Sequence, residues 1–534
     1  MTYLAIPISA RTVDEATRQI ERAVAAGAEM LELRTDYLAD LTVDSVGRVL
    51  AQVRAAAGAS VPVIVTCRDR AEGGARDYAE ALRVEVLLAT AAAGADFIDF
   101  EYANFPRGEN GRRIGAALSA SSKTRLILSA HDFSGPFADI GRLHRDILAA
   151  CPEAVPKLVY RAGNINDCFE AFDLLHAADG DCIALCMGEA GLISRVLARK
   201  LGGFVTFASL GAQAATAPGQ LTADTLKGLY RHDEIDADTE LFGVIADPVA
   251  HSLSPAIHNA GLADAGINAV YLPLHVEGGR GMLYDFLDNV LARPWLGFRG
   301  FSVTIPHKHG TLEYVRARGG HVEPLAKKIG AVNTLLVGPR SVGLTPPQSS
   351  GSESLLAAYN TDYAGALDAI TAGMGIERQD LRDVPVAVVG AGGVSRAVVA
   401  GLSDAGARIK IYNRTLERAE LLAADFDCEF APLDHLRNLD ARLVVNCTSI
   451  GMHPHVDATP VPAEVLKPDM AVFDTVYNPA ETLLLKQARA AGAKTIDGIA
   501  MFVNQAAAQF KLFTNQPANT NLMRTVVLDS LAQK

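Results

Sequence analysis

The sequence has no run of about 18 apolar residues, only one tryptophan, and no excess of positive charge. Without such a run we expect no membrane-spanning helix, and a net charge of −12 argues against a nucleic-acid-binding surface. The seven cysteines are scattered and odd in number, which is typical of a reducing compartment and not of a disulfide framework. Cys182 and Cys186 lack further ligands at suitable spacing, so we expect no metal site there.

The first residues enter an apolar, strand-like run directly, without the basic or Arg/Ser-rich segment of a targeting peptide. We therefore expect a cytoplasmic protein, with a mature plastid protein as the alternative. The 534 residues are enough for about three domains. A hydrophobic fraction of 49% and a charged fraction of 21% are typical of α/β enzymes.

Short β-rich runs recur through the first 210 residues, with amphipathic stretches of helical period between most of them. Eight runs with seven intervening segments predict a (β/α)8 barrel. An open doubly wound sheet is the alternative, but such a sheet usually has a glycine-rich turn near its start, and this region has none. The runs are 3–8, 29–34, 61–67, 95–101, 125–130, 155–160, 181–187 and 203–209.

Ionisable residues lie at the ends of these runs, where barrel enzymes carry their active sites. Lys157 lies inside the apolar run VPKLVY, where an unpaired ammonium is costly to bury. A desolvated lysine can form a Schiff base with a carbonyl; the alternative is a lysine that reaches solvent or pairs with a carboxylate. His131 is a candidate general base or a structural histidine. The cations Arg34, Arg68 and Arg195 suit an anionic, hydroxylated substrate, although each is equally ordinary on a surface.

The second half begins after a polar stretch, 229–240, that is typical of a linker. A Pro/Ser/Gly-rich insertion, 337–354, predicts a surface loop or hairpin extension. The turn GAGGVS, 390–395, follows an apolar run and begins a helix, which suits a pyrophosphate or, alternatively, an ordinary strand-to-helix connection. Arg414 and Arg418 stand where an NAD-binding chain normally carries an acidic residue. They offer cations to a 2′-phosphate and predict NADP; the alternative is two solvated surface arginines.

A lysine and an aspartate of the second half are a candidate proton-transfer pair. The ammonium of Lys308 can protonate an oxyanion while the carboxylate of Asp362 orients it. Taken singly, each is equally acceptable as a surface charge. Both lie in segments that place small hydroxyls and amides near their ends, so the sequence favours a polar site there.

The barrel region carries the motifs ELRTD, CRDRAEGG, SAHDF, PKLV, MGEAGLISR and TAPGQ in this order. Over about 1–228 it closely resembles type I 3-dehydroquinate dehydratase, a Schiff-base barrel enzyme of the shikimate pathway. The resemblance implies that Lys157 forms an imine with the C3 ketone, and that His131 removes and returns the proton with help from Glu72. Thr216 stands where the family commonly has serine and keeps the hydroxyl donor. The implied substrate residues are Glu32, Arg34 and Arg68 for the ring hydroxyls, and Arg195, Thr216 and Gln220 for the carboxylate.

The second half carries DPVAHSLSPAIHN, FSVTIPHK, GAVNT, YNTDYAG, NCTSIGM, DTVYNP and DGIAMFVNQAAAQF, and over about 240–534 it closely resembles shikimate dehydrogenase. The resemblance implies that Lys308 and Asp362 act on the 3-keto group, and that Ser395 is an accepted variation of the glycine fingerprint. The implied substrate residues are Ser252, Ser254, Thr304, Asn333, Asp362, Tyr477, Gln505 and Gln509. The implied cofactor residues are Gly390, Ala391, Gly392, Gly393, Val394, Ser395, Asn413, Arg414, Thr415, Arg418, Thr448, Gly498 and Met501.

Together the two resemblances predict an enzyme that converts 3-dehydroquinate to 3-dehydroshikimate and then, with NADPH, to shikimate. The expected fold is an N-terminal TIM barrel followed by a two-subdomain α/β dehydrogenase with a Rossmann subdomain. We expect small-molecule substrates only, with no nucleic acid, membrane or metal. The alternatives are a second domain that acts on quinate with NAD, or a regulatory ligand-binding protein made of inactive copies. The expected domains are 1–228, a linker 229–239, a substrate-binding subdomain 240–355 completed by about 500–534, and an NADP subdomain 356–499.

Overall fold

A computed structural model describes residues 2–58, 60–106, 108–121, 123–250, 252–338 and 356–532. The chain divides into two compact units. The first is Met1–Thr239 with the short segments Leu274–Gly278 and Asp285–Asn289, and the second is the remainder from Glu240 to Lys534. None of the helices in the described ranges has the length and apolar character that a bilayer crossing requires.

The first unit contains one eight-stranded parallel sheet in the order β7-β6-β5-β4-β3-β2-β1-β8. The first strand pairs with the last, and the sheet is a nearly closed barrel in which each strand overlaps one predicted run. The predicted barrel is thereby confirmed. Its strands are β1 Tyr3–Ile8, β2 Met30–Arg34, β3 Val63–Thr66, β4 Phe97–Glu101, β5 Arg125–Asp132, β6 Val155–Arg161, β7 Ile183–Met187 and β8 Val205–Phe207. Its helices are α1 Val13–Ala25, α2 Val43–Ala57, α3 Glu80–Ala92, α4 Glu109–Ser121, α5 Ile140–Ala150, α6 Cys168–Ala177 and α7 Leu192–Leu197.

Helices α1, α2 and α5 of the barrel each begin after a residue whose side chain caps the first turn. In α1, the Thr12 hydroxyl accepts a hydrogen bond from the Glu15 amide, which satisfies a free N–H of the first turn. Ala16, Ile20 and Ala23 recur at helical spacing and are buried. The strands are buried on both faces, as parallel strands covered by helices must be.

The second unit contains two six-stranded sheets, and the first of them is mixed, in the order β10-β9-β11-β13-β14-β12. Its strand β11 pairs parallel with β9 and antiparallel with β13. The strands are β9 Glu240–Ala246, β10 Ala269–His275, β11 Phe298–Val303, β12 His321–Val322, β13 Thr334–Val337 and β14 Leu356–Tyr359. The helices along this part of the chain are α8 Ser254–Asp264, α9 Gly279–Ala292, α10 Lys308–Ala317 and α11 Pro324–Ile329.

The second sheet of this unit is entirely parallel, with the order β17-β16-β15-β18-β19-β20. The order reverses between β15 and β18, and this doubly wound arrangement confirms the predicted Rossmann fold. The strands are β15 Pro385–Val389, β16 Arg408–Asn413, β17 Glu429–Pro432, β18 Leu443–Asn446, β19 Ala471–Asp474 and β20 Lys494–Ile496. The helices are α12 Asp362–Met374, α13 Gly393–Asp404, α14 Leu416–Phe426, α15 Leu483–Ala490, α16 Gly498–Thr514 and α17 Thr520–Ala532.

The predicted linker and the predicted insertion have different outcomes. Within the stretch 229–240, Tyr230, His232 and Ile235 are buried, so a segment that is polar on average still packs through selected side chains. Only Val337 and Gly338 of the predicted insertion 337–354 are described; the rest lies outside the described residues.

His232 is fully buried, and neither ring nitrogen has a hydrogen-bond partner among the described residues. Burial and the nearby guanidinium of Arg199 lower the pKa of His232 to about 4. The folded barrel therefore binds a proton here less readily than the unfolded chain does.

We expect this histidine to make the fold sensitive to acid. Its contribution is fully present above the unfolded pKa of about 6.5 and is lost as the pH falls towards 4, on the order of 3 kcal/mol in total. His232→Leu should reduce the loss of stability between pH 7 and pH 4.5, measured as urea midpoints by circular dichroism. His435→Leu, at an exposed position, is the control and should keep the wild-type acid dependence. Equal acid dependence in the two variants would contradict the prediction.

Candidate active sites

A pocket in the barrel is lined by every residue that the sequence predicts for the first reaction. Strands carry Glu32, Arg34, His131 and Lys157, and the segments that follow the strands carry the others. The predicted residues in the pocket are Glu32, Arg34, Arg68, Glu72, His131, Lys157, Arg195, Thr216 and Gln220. The apolar part of the lining includes Phe133, Val159, Leu185, Met187 and Phe207.

Lys157 lies on β6 and points into this pocket from a buried position. Its Nζ is 2.9 Å from Asp99 Oδ2 and 3.4 Å from Glu32 Oε1. The same atom lies 4.6 Å from the centre of the Phe207 ring. The amine is thus held by two carboxylates and an aromatic face, which compensate for the loss of water around it.

Asp99 is the shared counter-ion of the pocket. Its Oδ2 also accepts a hydrogen bond of 2.7 Å from Arg68, and its Oδ1 accepts one of 2.6 Å from the Ser129 hydroxyl. Burial opposes its ionisation, but Arg68 and Lys157 hold the pKa of Asp99 well below its usual range. Asp99 therefore stays charged and fixes two of the predicted site residues at once.

His131 and Glu72 form a hydrogen-bonded pair at the mouth of the pocket. His131 Nδ1 is 2.9 Å from Glu72 Oε2, and the backbone N–H of His131 donates to the same oxygen. Burial, with the charges of Arg68 and Lys157, holds the pKa of His131 well below its ordinary value. Burial also raises the pKa of Glu72 to about 8. At neutral pH the imidazole is therefore neutral, and the carboxyl can keep a proton.

Two arginines of the pocket differ in how they are satisfied. The guanidinium of Arg34 is bound by both oxygens of Asp36, at 2.9 and 2.8 Å. Arg195 is buried on α7, and its Nε and Nη2 have no hydrogen-bond partner among the described residues. Burial lowers the pKa of Arg195 to about 10. An uncompensated buried cation in a pocket is an anion-binding group without its anion.

The loop after β8 adds two more predicted residues to the pocket. Gln220 Oε1 accepts hydrogen bonds from the backbone N–H of Thr216, at 2.7 Å, and from its hydroxyl, at 3.3 Å. Gly219 has φ +73°, and a Cβ there would lie 2.3 Å from the Gly188 carbonyl oxygen. The close approach of this loop to the loop after β7 thus requires glycine.

Sequence reasoning missed Asp99, Glu101 and Ser129. Glu101 is buried and accepts hydrogen bonds from Arg68 and from Arg83. A signal was present: in ADFIDFE, Asp99 and Glu101 are two residues apart, the same spacing as Glu32 and Arg34, and so share one face of a strand.

In the second unit, four predicted residues form one hydrogen-bonded group. Lys308 Nζ is 2.5 Å from Asp362 Oδ2. Asn333 Nδ2 donates to Asp362 Oδ1 at 2.8 Å and approaches Gln505 Oε1 at 3.5 Å. The group lies where α10, α12 and the start of β13 meet, so it joins residues far apart in the chain.

The remaining predicted substrate residues of this unit are placed less directly. Ser254 begins α8, and its backbone N–H donates to Ser252 Oγ at 3.3 Å. The Tyr477 ring stacks on Phe502 with centres 4.9 Å apart. Within the described ranges, no hydrogen bond links Ser252, Thr304 or Tyr477 to the Lys308 group. Gln509 is buried with its amide bonded to other protein groups.

The glycine turn between β15 and α13 has the geometry that a phosphate needs. Gly390 has φ +109°, and a Cβ there would lie 2.9 Å from Thr448 Cγ2, whereas Gly392 and Gly393 face open space. The Ser395 hydroxyl accepts a 3.0 Å hydrogen bond from the Gly392 amide. The serine in place of the usual glycine therefore caps the helix and leaves its N-terminus accessible.

The strand after this helix ends beside two exposed arginines. Asn413 Nδ2 donates to the Thr415 carbonyl at 2.7 Å and shapes the turn. Arg414 and Arg418 are exposed and have no acidic partner in the part of the chain that the structure describes. Their guanidinium groups are therefore available to an anion.

The other predicted cofactor residues lie on the loops that face this turn. The Thr448 amide and hydroxyl both donate to Asn446 Oδ1, at 2.9 and 2.7 Å. Gly498 begins α16, and a Cβ there would lie 2.4 Å from the Val476 carbonyl oxygen. Met501 lies in the first turn of the same helix. These contacts suit a narrow groove along the carboxyl ends of the Rossmann strands.

Comparison with known proteins assigns a family to each part of the chain. Residues 4–237 match the family described as type I 3-dehydroquinase. Residues 244–335 match the shikimate dehydrogenase substrate-binding domain, 375–468 the shikimate/quinate 5-dehydrogenase family, and 498–528 the shikimate 5′-dehydrogenase C-terminal domain.

A chloroplastic bifunctional 3-dehydroquinate dehydratase/shikimate dehydrogenase of Arabidopsis thaliana is 34% identical over 98% of this chain and 83% of its own length. The chain belongs to this bifunctional family. The NADP(+) shikimate dehydrogenase of Methanosarcina barkeri is 38% identical over 55% of this chain and 99% of its own. A structure of Thermus thermophilus shikimate dehydrogenase with NADP(H) and shikimate covers 55% of this chain and 100% of its own, at 35% identity and a TM-score of 0.46.

The contrast between the paired guanidinium of Arg68 and the unpaired Nε and Nη2 of Arg195 gives a stability prediction for this family member. Arg195→Met should raise the free energy of unfolding by about 1–3 kcal/mol, because it removes an unpaired buried charge. Arg68→Met, the matched control, should lower it by about 3–5 kcal/mol, because Asp99 and Glu101 lose their partner. Urea unfolding followed by circular dichroism measures both changes. A lower midpoint for Arg195→Met would show that its guanidinium is satisfied after all.

Proposed function

We propose that this chain catalyses two consecutive reactions. The barrel removes water from 3-dehydroquinate to form 3-dehydroshikimate, and the second unit reduces the ketone of that product to the hydroxyl of shikimate with NADPH. The observation that carries the proposal is the barrel pocket, which combines a buried lysine, a His–Glu pair and an unpaired guanidinium. One small acid would use all three: its carbonyl would react with the lysine, its proton would pass to the His–Glu pair, and its carboxylate would bind the guanidinium.

In the proposed dehydration, the Lys157 amine attacks the C3 ketone and water leaves to form an imine. His131 takes the C2 proton, and the electron pair moves towards the protonated imine nitrogen. The proton then passes to the departing hydroxyl, which leaves as water, and hydrolysis of the imine restores the lysine. Because the neutral imidazole and the Glu72 carboxyl can share a proton, the pair suits a group that must both accept and return one.

Substrate binding follows from the charge and position of the remaining groups. Arg195 is the natural partner of the carboxylate, because binding would supply the anion that its buried guanidinium lacks. Thr216 and Gln220, on the loop after β8, line the same pocket and are assigned to the carboxylate as well. Glu32, Arg34 and Arg68 are assigned to the ring hydroxyls, for which they supply both acceptors and donors.

In the proposed reduction, NADPH supplies the hydride to the carbonyl carbon. Lys308 gives a proton to the developing alkoxide, and Asp362, 2.5 Å away, orients the ammonium. Asn333 and Gln505, with Ser252, Ser254, Thr304 and Tyr477, are assigned to the substrate hydroxyls and carboxylate, because their amides and hydroxyls can hydrogen-bond both. Gln509 is treated separately below.

The residues of the Rossmann unit fit NADP. The open space over Gly392 and Gly393 and the free N-terminus of α13 suit the pyrophosphate. Arg414 and Arg418, exposed and without acidic partners among the described residues, suit the 2′-phosphate. An NAD-dependent quinate dehydrogenase would be expected to carry an acid in this region instead. A regulatory protein without activity has no need of the buried Lys157 or of the Lys308–Asp362 pair.

We further propose the domain extents 1–228 for the dehydratase, 229–239 for the linker, 240–355 with 500–534 for substrate binding, and 356–499 for NADP binding. A cytoplasmic location remains our expectation. The chloroplastic relative supports a mature plastid protein as the alternative.

The direct test supplies 3-dehydroquinate and NADPH and looks for shikimate by mass spectrometry. Shikimate should accumulate with equimolar oxidation of NADPH, and NADH should be a poorer donor.

Arg414→Ala should raise the KM for NADPH about 10- to 100-fold, because a hydrogen bond to a charged group contributes about 1.5–3 kcal/mol. Arg437→Ala, an exposed arginine of the same Rossmann fold, is the control. Absence of shikimate, or equal rates with NADH, would refute the assignment.

The Schiff base has a separate covalent test. Borohydride added during turnover of 3-dehydroquinate should reduce the imine and leave a mass adduct on the peptide that contains Lys157. Lys157→Arg should give neither adduct nor dehydration, but should still reduce 3-dehydroshikimate. An active enzyme whose Lys157 peptide stays unmodified would exclude the imine.

A further inference from the structure

Gln509 lies on the inner face of α16 with 2% of its surface exposed, and its amide is bonded at both ends. Its Oε1 accepts a 2.8 Å hydrogen bond from the Ser302 hydroxyl. Its Nε2 donates to the Asn333 carbonyl at 3.0 Å and to Thr334 Oγ1 at 3.2 Å. Both amide hydrogens are therefore used within the protein, and the side chain has no donor left for a substrate.

The contacts of Gln509 continue directly to the proposed proton-transfer pair. Asn333, whose backbone carbonyl Gln509 holds, donates from Nδ2 to Asp362 Oδ1 at 2.8 Å. Asp362 in turn lies 2.5 Å from Lys308 Nζ. Asn333 Oδ1 accepts from the Thr361 amide at 2.7 Å, so the side-chain amide of Asn333 cannot rotate freely. The orientation of Asp362 therefore depends on where Asn333 is held.

On its other side Gln509 is tied to the sheet. The Tyr271 hydroxyl donates to Ser302 Oγ at 2.6 Å, and Tyr271 and Ser302 are buried. The chain of hydrogen bonds thus runs from β10 through β11 and α16 to β13 and the start of α12. In a low-dielectric interior, such a network is rigid only when every member is satisfied.

We propose that Gln509 is a positioning residue for the dehydrogenase reaction and not a substrate ligand. It fixes Asn333, and through Asn333 it sets the direction of the Asp362 carboxylate and the Lys308 ammonium. The proposal rests on the function assigned above to Lys308 and Asp362. An amide is required because one end must accept from Ser302 while the other donates to Asn333 and Thr334. A carboxylate has no donor, and an apolar side chain has neither.

The test compares Gln509→Met with Phe510→Leu, a core substitution on the same helix that leaves the network intact. Gln509→Met should lower kcat for 3-dehydroshikimate reduction about 10- to 100-fold, because a small displacement of a catalytic group has effects of this size. Its KM for 3-dehydroshikimate should change less than threefold, or by less than about 0.7 kcal/mol. Chemistry should become slower than product release, so the isotope effect with C4-deuterated NADPH should increase.

Ser302→Ala is the milder second variant, because it removes the bonds of Ser302 to Gln509 and to Tyr271 and leaves the bonds from Gln509 to Asn333 and Thr334 in place. It should lower kcat in the same direction and by less. Phe510→Leu should keep the wild-type kcat per folded molecule and the wild-type isotope effect. The dehydratase rate of each variant, measured on the same sample, gives the amount of intact chain.

Three results would overturn the proposal. An unchanged kcat in Gln509→Met would show that Asn333 is held without it. A raised KM with normal kcat would make Gln509 a substrate ligand. A loss of activity that matches the folded fraction, with no change in isotope effect, would leave only a structural role. If the wild type itself fails to reduce 3-dehydroshikimate, the proposed function fails and not the positioning argument.

Discussion

The barrel depends on one ionic contact, between Asp99 and the two cations Arg68 and Lys157. Each of these three groups would be too costly to bury alone, since an isolated charge loses its hydration in a low-dielectric interior. Two further carboxylates contact the cations: Glu32 lies beside Lys157, and Glu101 beside Arg68. Glu32 lies on β2, Arg68 just after β3, Asp99 and Glu101 on β4, and Lys157 on β6. The curvature of the sheet around the barrel is what brings these charges together. The charged residues of the pocket therefore contribute to the stability of the barrel as well as forming its candidate active site.

The two halves of the chain each contain a candidate catalytic lysine, and the two lysines are positioned in different ways. In the barrel, Lys157 is buried in the middle of a strand and restrained by neighbours on other strands. In the dehydrogenase, Lys308 begins a helix and is partly open to solvent, and its ammonium contacts Asp362, which Asn333 holds from the other side. Both placements suit the roles proposed above. The lysine proposed to form a covalent bond is held in a dry, fixed position, and the lysine proposed to protonate an alkoxide is oriented while it keeps access to water.

Much of this was predictable from sequence, for identifiable reasons. The barrel strands are short apolar runs that recur regularly and carry ionisable residues in them or at their ends, so their recurrence and position together predict Glu32, Arg34, Arg68, His131 and Lys157 as one site. The rule that active-site residues follow the ends of barrel strands does not select Asp99, because Asp99 lies inside its strand. The amide of Gln509 could not be interpreted either, because its partners Ser302 and Asn333 are more than 170 residues away and only the tertiary structure joins them. The buried side chains of the linker were not predicted, because the segment 229–240 is polar when its composition is taken as a whole.

The unpaired guanidinium of Arg195 has an evolutionary consequence. Among the described residues its Nε and Nη2 have no hydrogen-bond partner, so anion binding is the role that accounts for a buried arginine at this position. A descendant whose barrel lost its substrate would be free to replace Arg195 with an apolar residue and would become more stable by doing so. Whether the residue at this position is an arginine or apolar should therefore distinguish a barrel of this family that still binds its substrate from one that has lost it.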